Sequence, residues 1–182
     1  PGRRGRRLRV RGAGRVGGGR RNAARRRVLL QGRGAVAAAT AIKNPIMAAR
    51  AVMDHTPHIL LAGPAADEFA HQQGLALESP SYFFTTHRHE QLQHAQATNQ
   101  VVLDHGSDGK MGTVGAVALD VRGNIAAANS TGGMTNKLPG RTGDSALIGS
   151  GTWAHNQTCA VCTTGTGEAF IRTNAANRVA SL

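Results

Sequence analysis

Apolar and polar positions follow a secondary-structure period only from about residue 44 onward. After Asn44-Pro45, apolar residues at Ile46, Met47, Ala49, Val52 and Met53 mark one side of a helix that carries its proline in the first turn. Pro57 stops it, and 58–62 (His-Ile-Leu-Leu-Ala) reads as a short buried strand. A second helix is predicted over 64–73. It has Asp67 and Glu68 where negative charge meets free N–H groups, and Gly74 just past its end. Residues 78–84 show no period and are expected to be irregular, 88–97 predict a polar helix, and 98–110 an exposed linker.

The pattern then changes period. Residues 114–121 are small and apolar, Arg122-Gly123-Asn124 is a turn, and 125–129 run back, which makes a hairpin. Strands this uniformly apolar imply burial on both faces, as in a sheet covered by other layers. Residues 130–150 are loop-like and dense in Gly, Thr and Asn. A strand over 158–164 and a turn at Gly165-Thr166-Gly167 lead into a helix from 168 to about 179. No apolar run approaches the roughly 20 residues of a transmembrane helix, so no membrane partner is expected.

Net charge is +12, which suggests nucleic acid until the charges are located. Residues 1–33 hold thirteen Arg and no acid, while the remainder sets nine Lys or Arg against ten Asp or Glu. The charge therefore belongs to a Gly/Arg-rich tail over 1–33, too poor in apolar residues to offset its ordering entropy. Such a tail binds polyanions through phosphate contacts, but it lacks the aromatics that stack on bases, so no specific nucleic-acid partner is expected. A transit peptide would be rich in Ser, and the first Ser here is Ser79. Out-of-frame translation of a GC-rich gene ranks first among the explanations. Cys159 and Cys162 form a C-x-x-C with no second pair to complete a metal shell, and read as reduced strand cysteines of a cytoplasmic protein. His87, His89, His94 and His105 have no metal-ligand spacing and read as solvated.

A threonine hydroxyl is a weak nucleophile and needs an adjacent base. If Thr is the first residue of a chain, its own α-amine serves. An internal Thr reaches that state when the bond before it breaks, which requires a small preceding residue. Gly112-Thr113, between a linker and a strand, has this form, although a Gly-Thr before a strand is usually only a turn. Later segments decide the matter. Gly112-Thr-Val-Gly-Ala-Val-Ala-Leu-Asp120, then Ser130-Thr-Gly-Gly-Met-Thr-Asn-Lys-Leu-Pro-Gly-Arg-Thr-Gly-Asp144, then Thr164-Gly-Thr-Gly-Glu168 occur in that order. Together they closely resemble the plant-type and bacterial isoaspartyl peptidase / L-asparaginases, over about residues 42–182. The glycoprotein-processing asparaginases are a near alternative, but they usually carry Ser-Thr-Asn-Gly and Thr-Gly-Asn-Gly where this chain has Ser130-Thr-Gly-Gly133 and Thr164-Gly-Thr-Gly167.

The resemblance implies an α/β fold, the four-layer αββα sandwich of N-terminal-nucleophile hydrolases, here incomplete. It implies self-cleavage between Gly112 and Thr113, with Thr113 as nucleophile and Thr131 beside it. It also implies Arg141 on the substrate α-carboxylate, Asp144 on its α-ammonium, and an oxyanion hole from Thr164 and the N–H of Gly165, with Thr166 and Gly167 completing the substrate site. The expected substrate is a small molecule or dipeptide, and the expected assembly is a dimer of αβ heterodimers. No cofactor is expected, since the family's sodium-binding loop and its His-Gly-Gly-Ala-Gly opening are not found, and residues 1–40 do not resemble that half. The chain then divides into a tail over 1–33, the later part of an α-subunit over 34–112 and the first part of a β-subunit over 113–182. Ala146 stands where a proline is usual. Two alternatives remain: an inactive fragment of that enzyme, and a polyanion-binding protein acting through the Arg-rich tail. Plainer readings of single residues also stand, namely Arg141 and Asp144 as a surface ion pair, Thr131 as a turn residue and Thr164–Gly167 as a strand-to-helix turn.

Overall fold

The computed structural model describes residues 32–102 and 112–182. Thus most of the tail over 1–33, and His105 with most of the linker, lie outside the described residues. Arg33 is described, and its guanidinium sits 4.9 Å from the centre of the Trp153 ring.

The first part is a strand–helix–strand unit. Strand β1 (Ala35–Ala37) runs parallel to β2 (Leu60–Ala62), with Ala35 opposite Leu60 and Ala37 opposite Ala62, and α1 (Pro45–His55) connects them. A Cβ on Gly34 would strike the carbonyl of Ala49 and the amide of Met53, so only glycine lets the chain enter β1 this close to the helix. Within the stretch that does not resemble the family's opening half, residues 35–37 pair in register with β2, and Val36 packs on the core. That core is small: Ile42, Ala48 and Ala70, with Val36, Ala39, Leu75 and Leu77 against it. Helix α2 (Pro64–Gln72) starts at Gly63 and is followed by Gly74, both with positive φ. Asp67 in its first turn is buried and accepts from Thr40 N, Thr40 Oγ1 and Ala41 N at 3.1–3.2 Å. One carboxylate thereby ties the loop after β1 to α2.

Residues 80–83, expected to be irregular, form a one-turn helix, α3 (Pro80–Phe83), because proline presets the first turn. Helix α4 (Thr86–Ala97) follows, with the Thr85 hydroxyl accepting from Arg88 N. The start of the predicted linker is not free. Val102 exchanges backbone hydrogen bonds with Thr135 (3.2 and 3.0 Å), and Asn136 Nδ2 donates to the Gln100 carbonyl at 2.8 Å.

The hairpin forms as predicted, with β3 (Val114–Leu119) antiparallel to β4 (Ile125–Ser130). Its turn is closed by Asp120, whose carboxylate accepts from the side chain and backbone N–H of Asn124 and from Arg122 N, each at 2.8 Å. The Asn124 bonds are the main reason its carboxyl is held down at about 2. A second hairpin pairs β5 (Thr152–Ala154), which the pattern did not reveal, with β6 (Ala160–Cys162). The last helix is two, α5 (Gly167–Thr173) and α6 (Ala175–Ala180), broken by Asn174 in the left-handed region at φ 49°.

Two burial expectations fail. Strand β2 is open to solvent, with Leu60 39 % exposed, and so is β3, where Val114, Val117 and Leu119 are 58, 56 and 71 % exposed. Apolar composition prepares a strand for burial, but a covering layer must supply it, and the described elements packed near β2 and β3 leave these side chains exposed. The described residues thus form a mixed α/β arrangement with three two-stranded sheets.

Candidate functional site

Three strand ends meet near the Gly112-Thr113 link. In the β3–β4 ladder Val114 faces Ser130 and Gly115 faces Asn129, so Thr113 and Thr131 are the residues that flank the ladder at that end. Strand β6 lies across both. A Cβ on Gly115 would stand 2.8 Å from the Cys162 Cβ and 3.7 Å from the Asn129 Cβ, and Cys162 Sγ lies 3.4 Å from the carbonyls of both Ala116 and Ala128. Glycine at 115 is what allows this approach.

The direction of β6 follows from its other end. Asn156, just before it, accepts from Ile125 N at 2.9 Å and donates to the Asn124 side chain at 3.0 Å, beside the turn of the first hairpin. Strand β6 therefore runs from that turn toward the end where Thr113 and Thr131 lie. Side chains in a strand repeat every second residue. Thr113, Thr131 and Thr164 are each two residues beyond one member of the Gly115–Asn129–Cys162 contact, all at the same end. Thr113 is half-buried, and Thr131 and Thr164 are exposed. The Thr131 hydroxyl accepts from Gly133 N at 3.0 Å, which closes a local turn and leaves its own O–H to donate elsewhere.

The loop before β5 joins this cluster through Thr163. Its hydroxyl reaches Asp144 Oδ2 at 3.1 Å, and Asp144 is buried. Thr163 thus turns toward Asp144, and Thr164 follows it in the segment between β6 and α5. Arg141 gives Nε and Nη2 to the two oxygens of Glu168 at 2.8 and 2.9 Å. The surface-pair alternative for Arg141 and Asp144 is corrected: the ion-pair partner of Arg141 is Glu168, and Asp144 is held inside by Thr163. The Arg141 hydrogen bonds are the largest cause holding the Glu168 carboxyl below its usual value. Gly167 lies where a Cβ would be 2.9 Å from Asp144 Oδ1 and 3.0 Å from Arg141 Nη2. Thr166 is the N-cap of α5 and is exposed.

Gly165 adopts φ +143°, and a Cβ there would meet the Phe170 ring at 2.9 Å. Its N–H donates to no described residue, so the strand-to-helix turn presents an amide to the same region as Thr164. Thr163 and Glu168 had no role in the sequence reading. A Thr-Thr pair at a strand end and a Glu closing a Gly-rich turn were the available signals. Among the described residues, no three His, Cys, Asp or Glu cluster to hold a metal ion, Cys159 and Cys162 form no disulfide and are half-buried, and no helix is long and apolar enough to cross a membrane.

A family model described as Asparaginase matches residues 30–182. It begins about a dozen residues earlier than the motifs suggest, in keeping with a native β1. An isoaspartyl peptidase of Salmonella typhimurium is 54 % identical over 154 residues, covering 82 % of this chain and 49 % of that protein. The isoaspartyl peptidase of Escherichia coli is 53 % identical over 154 residues, covering 82 % and 48 %. The human isoaspartyl peptidase/L-asparaginase is 43 % identical over 143 residues, covering 79 % and 46 %. The chain thus spans about half the length of the curated relatives it matches.

Proposed function

The chain belongs to the asparaginase family, and from that membership we propose that it cleaves itself before Thr113 and then hydrolyses β-linked amides, those of L-asparagine and of isoaspartyl dipeptides. What supports this reading is the end of the β3–β4 ladder at Val114 and Ser130, which Thr113 and Thr131 flank, together with β6, which crosses at Gly115 and leads on to Thr164.

In the first step the Thr113 hydroxyl attacks the Gly112 carbonyl, the peptide bond shifts to an ester, and water resolves the ester to leave a free Thr113 amine. That amine, with an unperturbed pKa of about 7.7–8.0, is a base poised at neutral pH. In turnover it takes the proton of Thr113 Oγ as the oxygen attacks the side-chain carbonyl of the substrate, and hands it to the departing ammonia or amino acid. A β-aspartyl ester on Thr113 remains, and water releases aspartate. Thr131 supplies a hydrogen bond beside the nucleophile. Thr164 Oγ and the Gly165 N–H receive the negative oxygen of the tetrahedral intermediate, where a positioned donor contributes about 3–4 kcal/mol.

Arg141 meets the α-carboxylate and Asp144 the α-ammonium, in accordance with their donor and acceptor inventories. Substrates therefore need both groups free. The full four-layer sandwich, the pairing of αβ units and the division at Gly112 into α- and β-parts extend the same reading. No step is assigned to a metal ion.

The test is to incubate the purified chain at neutral pH, follow it on a denaturing gel, and assay ammonia release from asparagine. Two fragments are expected, the second beginning Thr-Val-Gly, and Thr113→Ala abolishes both cleavage and turnover. A chain that neither splits nor releases ammonia refutes the reading for this polypeptide. Ammonia release from an intact chain refutes the amine-switched mechanism.

A further inference from the structure

The turn after β4 contains a peptide unit that is held on both sides. Between Gly132 and Gly133, the N–H donates to Thr131 Oγ1 at 3.0 Å, and the carbonyl opposite it accepts from Lys137 Nζ at 2.5 Å. Lys137 lies folded over this turn. A Cβ on Gly133 would come 2.5 Å from Nζ and 3.3 Å from Cδ, so glycine there leaves room for the lysine stem. The stem starts from an anchored backbone, because Thr135 exchanges backbone hydrogen bonds with Val102 and Asn136 Nδ2 donates to the Gln100 carbonyl. Gly133 has φ +88°, and glycine takes the opposite sign about as readily. The peptide before it can therefore turn over, which is the difference between a type II and a type I turn. Thr131, Gly132 and Lys137 are exposed, so dense packing does not hold the peptide in place.

We infer that Lys137 is a positioning residue for Thr131: by holding the Gly132 carbonyl it keeps the Gly132–Gly133 peptide with its N–H toward the Thr131 hydroxyl, which leaves that hydroxyl's proton for the nucleophile. This deepens the function proposed above and rests on it. A hydroxyl has one proton to give and lone pairs to receive with. With the N–H facing it, Thr131 Oγ1 accepts from the turn and donates away from it. With the peptide turned over, the Gly132 oxygen would face Oγ1 and take its proton, and Thr131 would have nothing to donate toward Thr113. An ammonium is a donor with no acceptor, so Lys137 can bind only the oxygen side of the peptide and selects the first orientation. Its charge also draws electron density toward that oxygen, which strengthens the N–H as a donor. The substrate head groups belong to Arg141 and Asp144, so losing Lys137 should slow the chemical step and leave binding nearly as it was.

Amide exchange followed by NMR on the isotope-labelled chain, together with steady-state ammonia release from L-asparagine, tests the assignment. Lys137→Met keeps a stem of similar length and removes the ammonium. In it the Gly133 amide should exchange about three- to tenfold faster, the range set by one ordinary hydrogen bond. Its kcat should fall about tenfold, less than the ~10²-fold that misplacing a catalytic group by about 1 Å can cost, with KM within about twofold. Lys137→Arg restores a cation with N–H donors and should recover most of both losses. Unchanged Gly133 exchange in Lys137→Met would overturn the inference. So would a rise in KM as large as the fall in kcat, or no recovery in Lys137→Arg, since either shows a general loosening of the loop. The two readings fail separately. Lys137-dependent exchange at Gly133 in a chain that never cuts itself or releases ammonia sinks only the hydrolase, whereas ammonia release with Lys137-independent exchange sinks only the positioning role.

Discussion

Gly167→Ala puts a methyl group at the point where the two head-group partners come closest. Its carbon would stand 2.9 Å from Asp144 Oδ1, 3.0 Å from Arg141 Nη2 and 3.1 Å from the Asp144 amide, against 3.4 Å or more for ordinary contact. Arg141 is flexible and can yield. The Asp144 amide is backbone and cannot swing away, and its carboxylate is held by Thr163 on the other side. Forcing an extra methyl into such a site costs about 1–3 kcal/mol. Alanine recovers up to about 1 kcal/mol over glycine in a helix interior, and less at the first position of α5, where Gly167 sits. Overpacking wins, and the net loss should be about 0.5–2 kcal/mol of stability. If Asp144 and Arg141 instead move apart to make room, the strain appears in binding, and aspartate affinity should drop about tenfold, equivalent to about 1.4 kcal/mol. Urea unfolding and calorimetry with L-aspartate on the same preparation separate the two outcomes. A variant as stable as the wild type with full aspartate affinity would mean that Gly167 does not lie between these groups.

Asp67→Ala removes the acceptor for three donors, two of them backbone N–H groups, and should destabilise the chain by about 2–4 kcal/mol in denaturant titration, since hydrogen bonds to a charged group contribute about 1.5–3 kcal/mol each and are not additive. A loss below about 0.5 kcal/mol would remove Asp67 as the tie between β1 and α2. The Glu168 carboxyl titrates below its usual 4.5 in the folded chain, so its contribution to stability is full at pH values above that figure and is lost as pH falls through the lower folded value. The stability difference between wild type and Glu168→Gln should accordingly shrink on acidification below about pH 4.5 and stay level from pH 5 to 8. A difference that instead grew toward low pH would contradict the Arg141 pairing.

Local chemistry was legible in the residues themselves. Pro45 and Pro64 begin helices, Gly74 follows one, and the Asp120–Asn124 turn folds back because short polar side chains bond the neighbouring backbone. The family motifs were legible too, being long contiguous strings in which each residue type meets a local demand. Burial was not legible, because it depends on what covers a face: Val114, Val117 and Leu119 carry a core composition and stand in solvent. Nor were pairings between distant positions. Whether Asp67 reaches Thr40 and Ala41, whether Thr163 or Arg141 takes Asp144, and whether Glu168 takes Arg141 are settled by chain paths that no local pattern encodes. Thr113, Thr131 and Thr164 were named from sequence as parts of one site, yet the ladder register that ends at Val114 and Ser130, and the crossing of β6 at Gly115, are visible only in the structure. Register is a property of two strands at once, and the close crossing depends on a missing side chain, so each exists only when the chain has folded.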